Sequence, residues 1–314
     1  MKVAVLIPCY NEEQTIGGVI DDFRKELPEA DIYVYDNNSK DRTSEVAREH
    51  GANVKKELRQ GKGYVVRSMF REIEADYYVM VDGDRTYPAR FVHQLLEPLQ
   101  KQEANIVIGD RLSNGTYEEE NKRKFHNLGN NMVRGLINFL YKSDLKDIMT
   151  GYRAFDRLFV KSAPVMSPGF EIETELTIHS LDKRFLIKEI PIDYQDRPEG
   201  SESKLNTFSD GIKVLNKIFT LFKEYKPMLF FSVWAVVFLV LGLVSGIPVI
   251  VEFAKTSFVS KVPSAILAVG LIILSVLSFA CGLILDTVAA NFKKQYEIEL
   301  NRIKQEDKSH DHIS

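Results

Sequence analysis

The chain has 314 residues, of which 45% are hydrophobic and 27% charged, with a formal net charge of -3. At roughly 150 residues per domain this is material for about two structural units, and it excludes a peptide, a wholly disordered chain and a basic nucleic-acid binder. The mean hydropathy of -0.16 averages two unlike parts, because the long uncharged runs lie after Lys226.

From Lys2 to about Ile190, short β-branched runs alternate with longer amphipathic stretches, which predicts an α/β fold with a mainly parallel sheet. Val3 to Ile7, Ile32 to Tyr35, Tyr77 to Val81 and Ile106 to Ile108 are continuously apolar, as strands buried on both faces must be. Thr15 to Leu27 and Thr43 to His50 read as the first crossover helices, with Ser39 or Asp41 as the cap of the second. The start of the chain has no charged-then-apolar leader, so this first part is expected in the cytosol. Two cysteines, Cys9 and Cys281, do not make a disulfide framework.

Between Asn206 and Lys226, apolar residues recur at helical spacing while Lys213, Lys217, Lys223 and Lys226 carry the charge, which predicts an amphipathic helix at a membrane interface. Met228 to Val251 and Val262 to Leu285 are each uncharged for roughly 24 residues, enough to cross about 30 Å of hydrocarbon. The resulting division is a catalytic domain over 1–205, the interfacial helix over 206–227, membrane spans over 228–253 and 262–286, and a C-terminal helix and tail over 287–314. Lysines before the first span, and Lys293, Lys294, Arg302 and Lys304 after the second, put both termini on the cytoplasmic side.

Polar residues follow each predicted strand, where open α/β sheets bind their ligands. The first strand runs into Pro8-Cys9-Tyr10-Asn11-Glu12-Glu13, and the second ends at Asp36 in an Asx-rich loop suited equally to a nucleotide or to a turn. Asp82-Gly83-Asp84 follows the third; two carboxylates separated by glycine suit a hard divalent cation, Mg²⁺ or Mn²⁺, that also takes diphosphate oxygens. Arg111, Arg123, Arg153 and Arg197 stand in loop-like contexts, and arginine is the residue of choice for bidentate phosphate recognition.

In their order, these motifs resemble the family-two glycosyltransferases of GT-A (Rossmann-like) fold. Within them they resemble the polyprenyl-phosphate sugar synthases typified by dolichol-phosphate mannose synthase, including the bacterial undecaprenyl-phosphate type. The resemblance spans about residues 1 to 290 and rests on Pro8 to Glu12, Asp36 to Thr43, Gly61-Lys62-Gly63, Asp82-Gly83-Asp84, Gly109-Asp110-Arg111, Gly151 to Phe155, the acidic run Glu171, Glu173 and Glu175, and Arg197 with Ser203-Lys204, followed by two spans. It implies that Pro8, Tyr10, Glu12, Asp36 and Lys62 border the nucleotide, that Asp82 and Asp84 hold the metal, and that Arg111, Arg123, Arg197 and Lys204 receive phosphate or the lipid acceptor. Gly83 belongs to the same nucleotide-sugar loop, Arg153 is counted with the phosphate receivers, and Glu173 is expected to touch the sugar. This chain has Asp36-Asn37 where many relatives carry Asp-Asp, and Thr86 where they carry Gln, so Thr86 is not counted as a ligand.

The expected reaction is an inverting transfer of a hexose, glucose or N-acetylglucosamine, from a UDP-sugar in preference to a GDP-sugar onto polyprenyl (undecaprenyl) phosphate at the cytoplasmic membrane face. The product would be a lipid-linked sugar for cell-envelope glycan modification. A homo-oligomer, contact with membrane lipids, a separate flippase and an outer-face transferase are the expected partners. Two other readings stand beside it: a membrane-anchored transferase that elongates a surface polysaccharide, and a catalytically silent membrane scaffold.

Overall fold

The computed structural model describes residues 1–114, 124–195 and 207–311. It divides into two compact units, Met1–Ile218 with Leu300–Ser314, and Phe219–Glu299. The first unit is built on a seven-stranded sheet: β1 (Val3–Cys9), β2 (Asp31–Asp36), β3 (Asn53–Lys56), β4 (Tyr77–Met80), β5 (Ile106–Asp110), β6 (Arg153–Asp156) and β7 (Ile187–Pro191). They lie in the order β3-β2-β1-β4-β6-β5-β7. β1 pairs in parallel with β2 and β4, β2 with β3, and β5 with β7; β6 runs antiparallel between β4 and β5. The four strands expected from their apolar runs are all present. β3, β6 and β7 are the additions, and β3 is an edge strand with mostly exposed side chains, so it has no apolar run to betray it.

Side chains alternate between the two faces of a strand. Val5, Ile7 and Cys9 of β1, Val34 of β2 and Val79 of β4 join a buried cluster with Ile16, Ile20 and Phe23 of α1 (Ile16–Glu26) and Leu95, Leu96 and Leu99 of α4 (Val92–Gln100). On β6, Ala154 belongs to this cluster, whereas Phe155 lies 5.5 Å from Phe70 of α3 (Lys62–Glu72) and stacks at 5.2 Å on Phe159 of α6 (Arg157–Ser162). Helices thus cover both faces, leaving the strand ends as the place for polar chemistry. The unit is completed by α2 (Thr43–Glu49), α5 (Lys124–Tyr141) and α7 (Ile172–Asp182). α2 starts where expected, and it is Asp41 rather than Ser39 that serves its start, accepting the backbone N–H of Thr43 at 3.0 Å. Ser39 instead accepts the N–H of Asn11 at 2.9 Å.

The helix α8 (Thr207–Tyr225) lies where the amphipathic segment is expected. The second unit holds α9 (Pro227–Thr256) and the apolar part of α10 (Val262–Asp311), and both helices are long and apolar enough to cross a membrane. They pack through small residues. Any side chain at Gly242 would place its Cβ 3.0 Å from Cγ1 of Ile272, and one at Gly246 would sit 3.1 Å from Cβ of Ala268. Close backbone approach of this kind is what holds helices together where hydrocarbon removes the hydrophobic drive. The Ser275 hydroxyl donates across the pair to the Ala235 carbonyl at 2.8 Å.

Candidate active site

The loops after β1 and β2 are laced together by side chains that meet backbone N–H groups. The N–H groups of Asn11, Glu12 and Glu13 donate to Ser39, Thr43 and Asp41 at 2.9, 2.8 and 3.2 Å, and in return Lys40 and Arg42 donate to Asn11 and Glu13, each at 2.8 Å. The lacing rigidifies the turn that carries Pro8, Tyr10 and Glu12. Glu12 is buried, and Thr15 beside it donates to the Gly83 carbonyl at 2.7 Å, tying this turn to the loop after β4. Asp36 is buried at the end of β2 and accepts from the Ser39 N–H at 2.9 Å and the Ser44 hydroxyl at 2.5 Å. Burial raises its pKa, but these hydrogen bonds outweigh burial and hold the carboxyl below its usual range.

Asn37 does something no Asp could do. Its Nδ2 donates to the carbonyls of Glu57 and Arg59 at 3.0 and 2.7 Å, while its Oδ1 accepts the Gly61 N–H at 2.6 Å. A carboxylate has no donor for the two carbonyls. The Asp-to-Asn departure therefore fixes the loop that leads into Gly61-Lys62-Gly63. That tripeptide is clamped from the far side by Ser167-Pro168: the Gly63 N–H donates to the Pro168 carbonyl at 3.0 Å, and a Cβ on Gly63 would stand 1.8 Å from the Ser167 carbonyl oxygen. Glycine is required at this backbone-to-backbone contact. The outer two acids at the start of α7 hold the clamp, Glu175 accepting the N–H groups of Met166 and Ser167 at 3.1 and 2.7 Å and Glu171 that of Gly169 at 3.3 Å.

Between these layers Lys62 bridges two carboxylates, with Nζ 2.5 Å from Oδ1 of Asp82 and 2.6 Å from Oε1 of Glu173. Burial alone would lower the lysine's pKa, but the two carboxylates outweigh it and the pKa rises, so Lys62 is an ammonium ion. Asp82 is seated against Gly151, where any Cβ would fall 2.3 Å from its Oδ2. Asp84 is buried, and its Oδ1 accepts the Thr86 hydroxyl at 2.7 Å, so Thr86 serves the second carboxylate of the loop. Among the described residues no three His, Cys, Asp or Glu side chains form a metal-holding group. The pair Asp82 and Asp84 nonetheless fits an Mg²⁺-type cation, which binds through one or two carboxylates and takes its remaining ligands from water and substrate phosphate.

The arginines divide. Arg111 is buried and pairs bidentately with Asp147, Nε to Oδ2 at 2.7 Å and Nη2 to Oδ1 at 2.9 Å, while its Nη1 donates to the Tyr87 hydroxyl at 3.3 Å. Tyr87 also accepts the Gly151 N–H at 3.1 Å, which connects Arg111 to the seat of Asp82. Asp147 is presented by Glu189 of β7, which accepts its N–H at 2.9 Å. Arg153 is not at the strand-end surface. It is wholly buried, and it donates to the carbonyls of Thr150 at 3.0 Å and Ile148 at 2.5 Å and to the Thr177 hydroxyl at 2.9 Å. It braces the Ile148–Gly151 turn from beneath, with no donor directed at a phosphate among these contacts. Arg123, Arg197 and Lys204 lie outside the described residues.

Sequence reasoning did not find Asn37 as a loop organiser, the Ser167-Pro168 clamp, or Asp147 and Glu189 behind Arg111. The one available signal was the Ser167-Pro168-Gly169 punctuation just before the acidic run.

Residues 4–162 match the model of glycosyl transferase family 2. The chain is 34% identical over 231 residues to glycosyltransferase AglJ of Haloferax volcanii, covering 73% of this chain and 75% of that protein. It is 31% identical over 212 residues to a dolichyl-phosphate hexose transferase of the same organism, covering 68% of this chain and 90% of that one. Among solved structures, glucosyl-3-phosphoglycerate synthase from Mycobacterium tuberculosis, in complex with Mn²⁺, UDP-glucose and phosphoglyceric acid, superposes with a TM-score of 0.57 at 23% identity, over 70% of this chain and 79% of that one. The likeness establishes the GT-A-like fold.

Proposed function

The chain belongs to glycosyl transferase family 2 and is a glycosyltransferase, and from that premise we propose that it transfers a hexose from a nucleoside-diphosphate sugar to the phosphate of a membrane polyprenol, with inversion at the anomeric carbon. The observation that carries this reading is that an acidic strand-end site with a buried ammonium stands in the same chain as two apolar helices of membrane-spanning length. The relative named a dolichyl-phosphate hexose transferase supports an acceptor of this chemical class.

In this reading an oxygen of the acceptor phosphate attacks C1 of the sugar as the bond from C1 to the diphosphate breaks. A phosphate monoester carries about -1.5 to -2 charge near neutral pH, so it needs no strong general base. The work of the protein is to bring two anions together and to stabilise charge on the leaving diphosphate. Asp82 and Asp84 would hold the divalent cation, which when bound supplies part of that stabilisation. Lys62 adds a fixed positive charge beside them. Asp36, with the laced turn of Pro8, Tyr10 and Glu12, forms the nucleotide's border. Arg123, Arg197 and Lys204 receive the acceptor phosphate; Arg111, engaged by Asp147, orders the loop next to it. The donor is a UDP-sugar of glucose or N-acetylglucosamine, both termini are cytoplasmic, and the outer loop is the stretch between α9 and α10, residues 257–261.

The test is to incubate the purified full chain, Mg²⁺ or Mn²⁺ and undecaprenyl phosphate with labelled UDP- and GDP-sugars. An organic-extractable, acid-labile product from one UDP-hexose is expected. A water-soluble elongated saccharide and no lipid product would overturn the acceptor.

A further inference from the structure

Lys62 does more than border a ligand. Its ammonium sits at 2.5 Å from Asp82 and 2.6 Å from Glu173, and its side chain is 10% exposed while that of Glu173 is 5% exposed. It is held there by construction: the Asn37-anchored loop sets one end of α3, Ser167-Pro168 clamps the other side of Gly61-Lys62-Gly63, and the start of α7 delivers Glu173. Two carboxylates face this ammonium, with the buried Arg153 guanidinium the further cation that Glu173 feels, and one of the two carboxylates is half of the acidic pair that would hold the divalent cation.

We propose that Lys62 is an internal counter-ion that occupies Asp82 in the ligand-free protein and makes cation binding depend on the arrival of the diphosphate, with Glu173 as the residue that keeps Lys62 paired when it lets go of Asp82. The proposal rests on the reading of Asp82 and Asp84 as the cation's ligands and deepens it; it does not depend on which acceptor the enzyme uses. The physical reason is competition for one carboxylate. A cation approaching Asp82 must weaken a buried ion pair, and removing one partner from such a pair is costly unless the other keeps a neutralising neighbour. Glu173 is that neighbour, 2.6 Å away and nearly wholly buried. A diphosphate brings its own negative charge, on which both Lys62 and the cation gain, so cation and nucleotide bind as a linked pair. By linkage, each must then tighten the other by the same factor. A free cation would find the acidic pair half-neutralised, which protects the site from trapping metal without substrate.

The experiment titrates Mn²⁺ into the full chain in detergent, following the free-ion signal by electron paramagnetic resonance, with and without UDP. No turnover is read. Wild type is expected to bind Mn²⁺ weakly alone and about ten- to a hundredfold more tightly with UDP. Lys62→Met frees Asp82, so it should bind Mn²⁺ alone at least about tenfold more tightly than wild type, with a smaller effect of UDP. Glu173→Gln leaves Lys62 with Asp82 as its one carboxylate, so it should bind Mn²⁺ alone more weakly than wild type. A lysine or glutamate with a merely structural role would not move the two affinities in opposite directions. Thermal unfolding and UDP binding check that each variant is folded, and Lys62→Arg, which keeps the charge, should restore the wild-type order if Lys62→Met is unstable. Equal or weaker Mn²⁺ binding by a folded Lys62→Met would overturn the counter-ion role while leaving the proposed reaction intact. Absence of Mn²⁺ binding by wild type even with UDP would overturn the cation reading, and this inference with it.

Discussion

In the sheet-bearing unit the buried side chains include ions, and each is matched: Lys62 by two carboxylates, Arg111 by Asp147, Arg153 by two carbonyls and a hydroxyl. In the helix pair the pattern is reversed, and the large apolar side chains are the exposed ones, from Leu229 and Val233 through Val244 and Ile250 on one helix and Ile266 to Ile284 on the other. The difference teaches that each unit is ordered for a different solvent. The first spends its polar groups on placing charge at the ends of strands. The second shows the outside an apolar surface, on helices long enough to cross hydrocarbon. The proposed transfer, from a water-soluble donor to a lipid acceptor, would need both.

The largest expected effect breaks the charged side of the comparison. Asp82→Asn keeps size and hydrogen-bonding reach but removes the charge that Lys62 faces, and product formation should fall by about 10² to 10³, the range of losing one preorganised electrostatic contact to a transition state. The rate of lipid-linked sugar formation at saturating donor measures it, and thermal unfolding shows whether the fold survives. Activity within tenfold of wild type would show that the site's electrostatics lie elsewhere.

A second break tests burial without catalysis. Arg153→Ala leaves the carbonyls of Thr150 and Ile148 and the Thr177 hydroxyl without their donor, at about 1 to 3 kcal/mol for each unsatisfied group, so a loss of several kcal/mol is expected. Burial pushes the pKa of this guanidinium down to about 10, so it stays charged at neutral pH. Chemical denaturation of the sheet unit's tryptophan-free signal by circular dichroism would read the loss. A change in the KM for acceptor phosphate with unchanged stability would instead return Arg153 to the phosphate site where the loop pattern first placed it.

A third prediction uses pH. His179 on α7 is buried between Phe159 and Phe185, at 6.1 Å from each, and burial, with Lys183 adding to it and Asp182 opposing, lowers its pKa from 6.5 to about 4. The folded state therefore keeps this imidazole neutral while the unfolded chain takes up a proton as the pH falls below about 6.5. Stability attributable to His179 is complete above that pH, declines between about 6.5 and 4, and ends about 3 kcal/mol lower. Wild type should lose about that much more than His179→Gln between pH 7 and pH 4, read from denaturation midpoints; parallel pH profiles would remove the assignment.

These outcomes bear on what the sequence could disclose. β1, β2, β4 and β5 were legible because strands covered on both faces must be apolar throughout, and the acidic loop after β4 was legible because strand ends collect ligands. β3 was hidden because an exposed edge strand has no such constraint, and β6 because its antiparallel place is fixed by pairing with β4 and β5 rather than by its own four residues. For the site, the spacing of Asp82 and Asp84 and the glycines around Lys62 were readable. The partners were not. Nothing in a linear pattern says that Asp147, 36 residues on, takes both arms of Arg111, or that Glu173 meets Lys62. Arg153 shows the same limit from the other side: an arginine two residues after a glycine reads as a phosphate ligand, and only the structure shows its donors on Thr150, Ile148 and Thr177.

A paired substitution sharpens the comparison most directly, because one chemical change is made in both units. Leu58 is 78% exposed in the sheet unit and Val244 is 66% exposed in the helix pair. If both faced water, a lysine at either place would change stability by no more than about 0.5 kcal/mol. If the helix pair lies in hydrocarbon, lysine near the middle of a spanning helix costs about 2.5 to 3.5 kcal/mol on insertion, eased by snorkelling where the ammonium can reach the interface. Leu58→Lys should therefore leave membrane integration and yield unchanged. Val244→Lys should shift a measurable fraction of the chain into the alkali-extractable pool, with a further shift when Val240 is changed as well, since it lies one turn away and is 52% exposed. Equal fractionation of the two single variants would mean that the exposed apolar surface is covered by protein rather than by lipid, and the division of the molecule between two solvents would have to be redrawn.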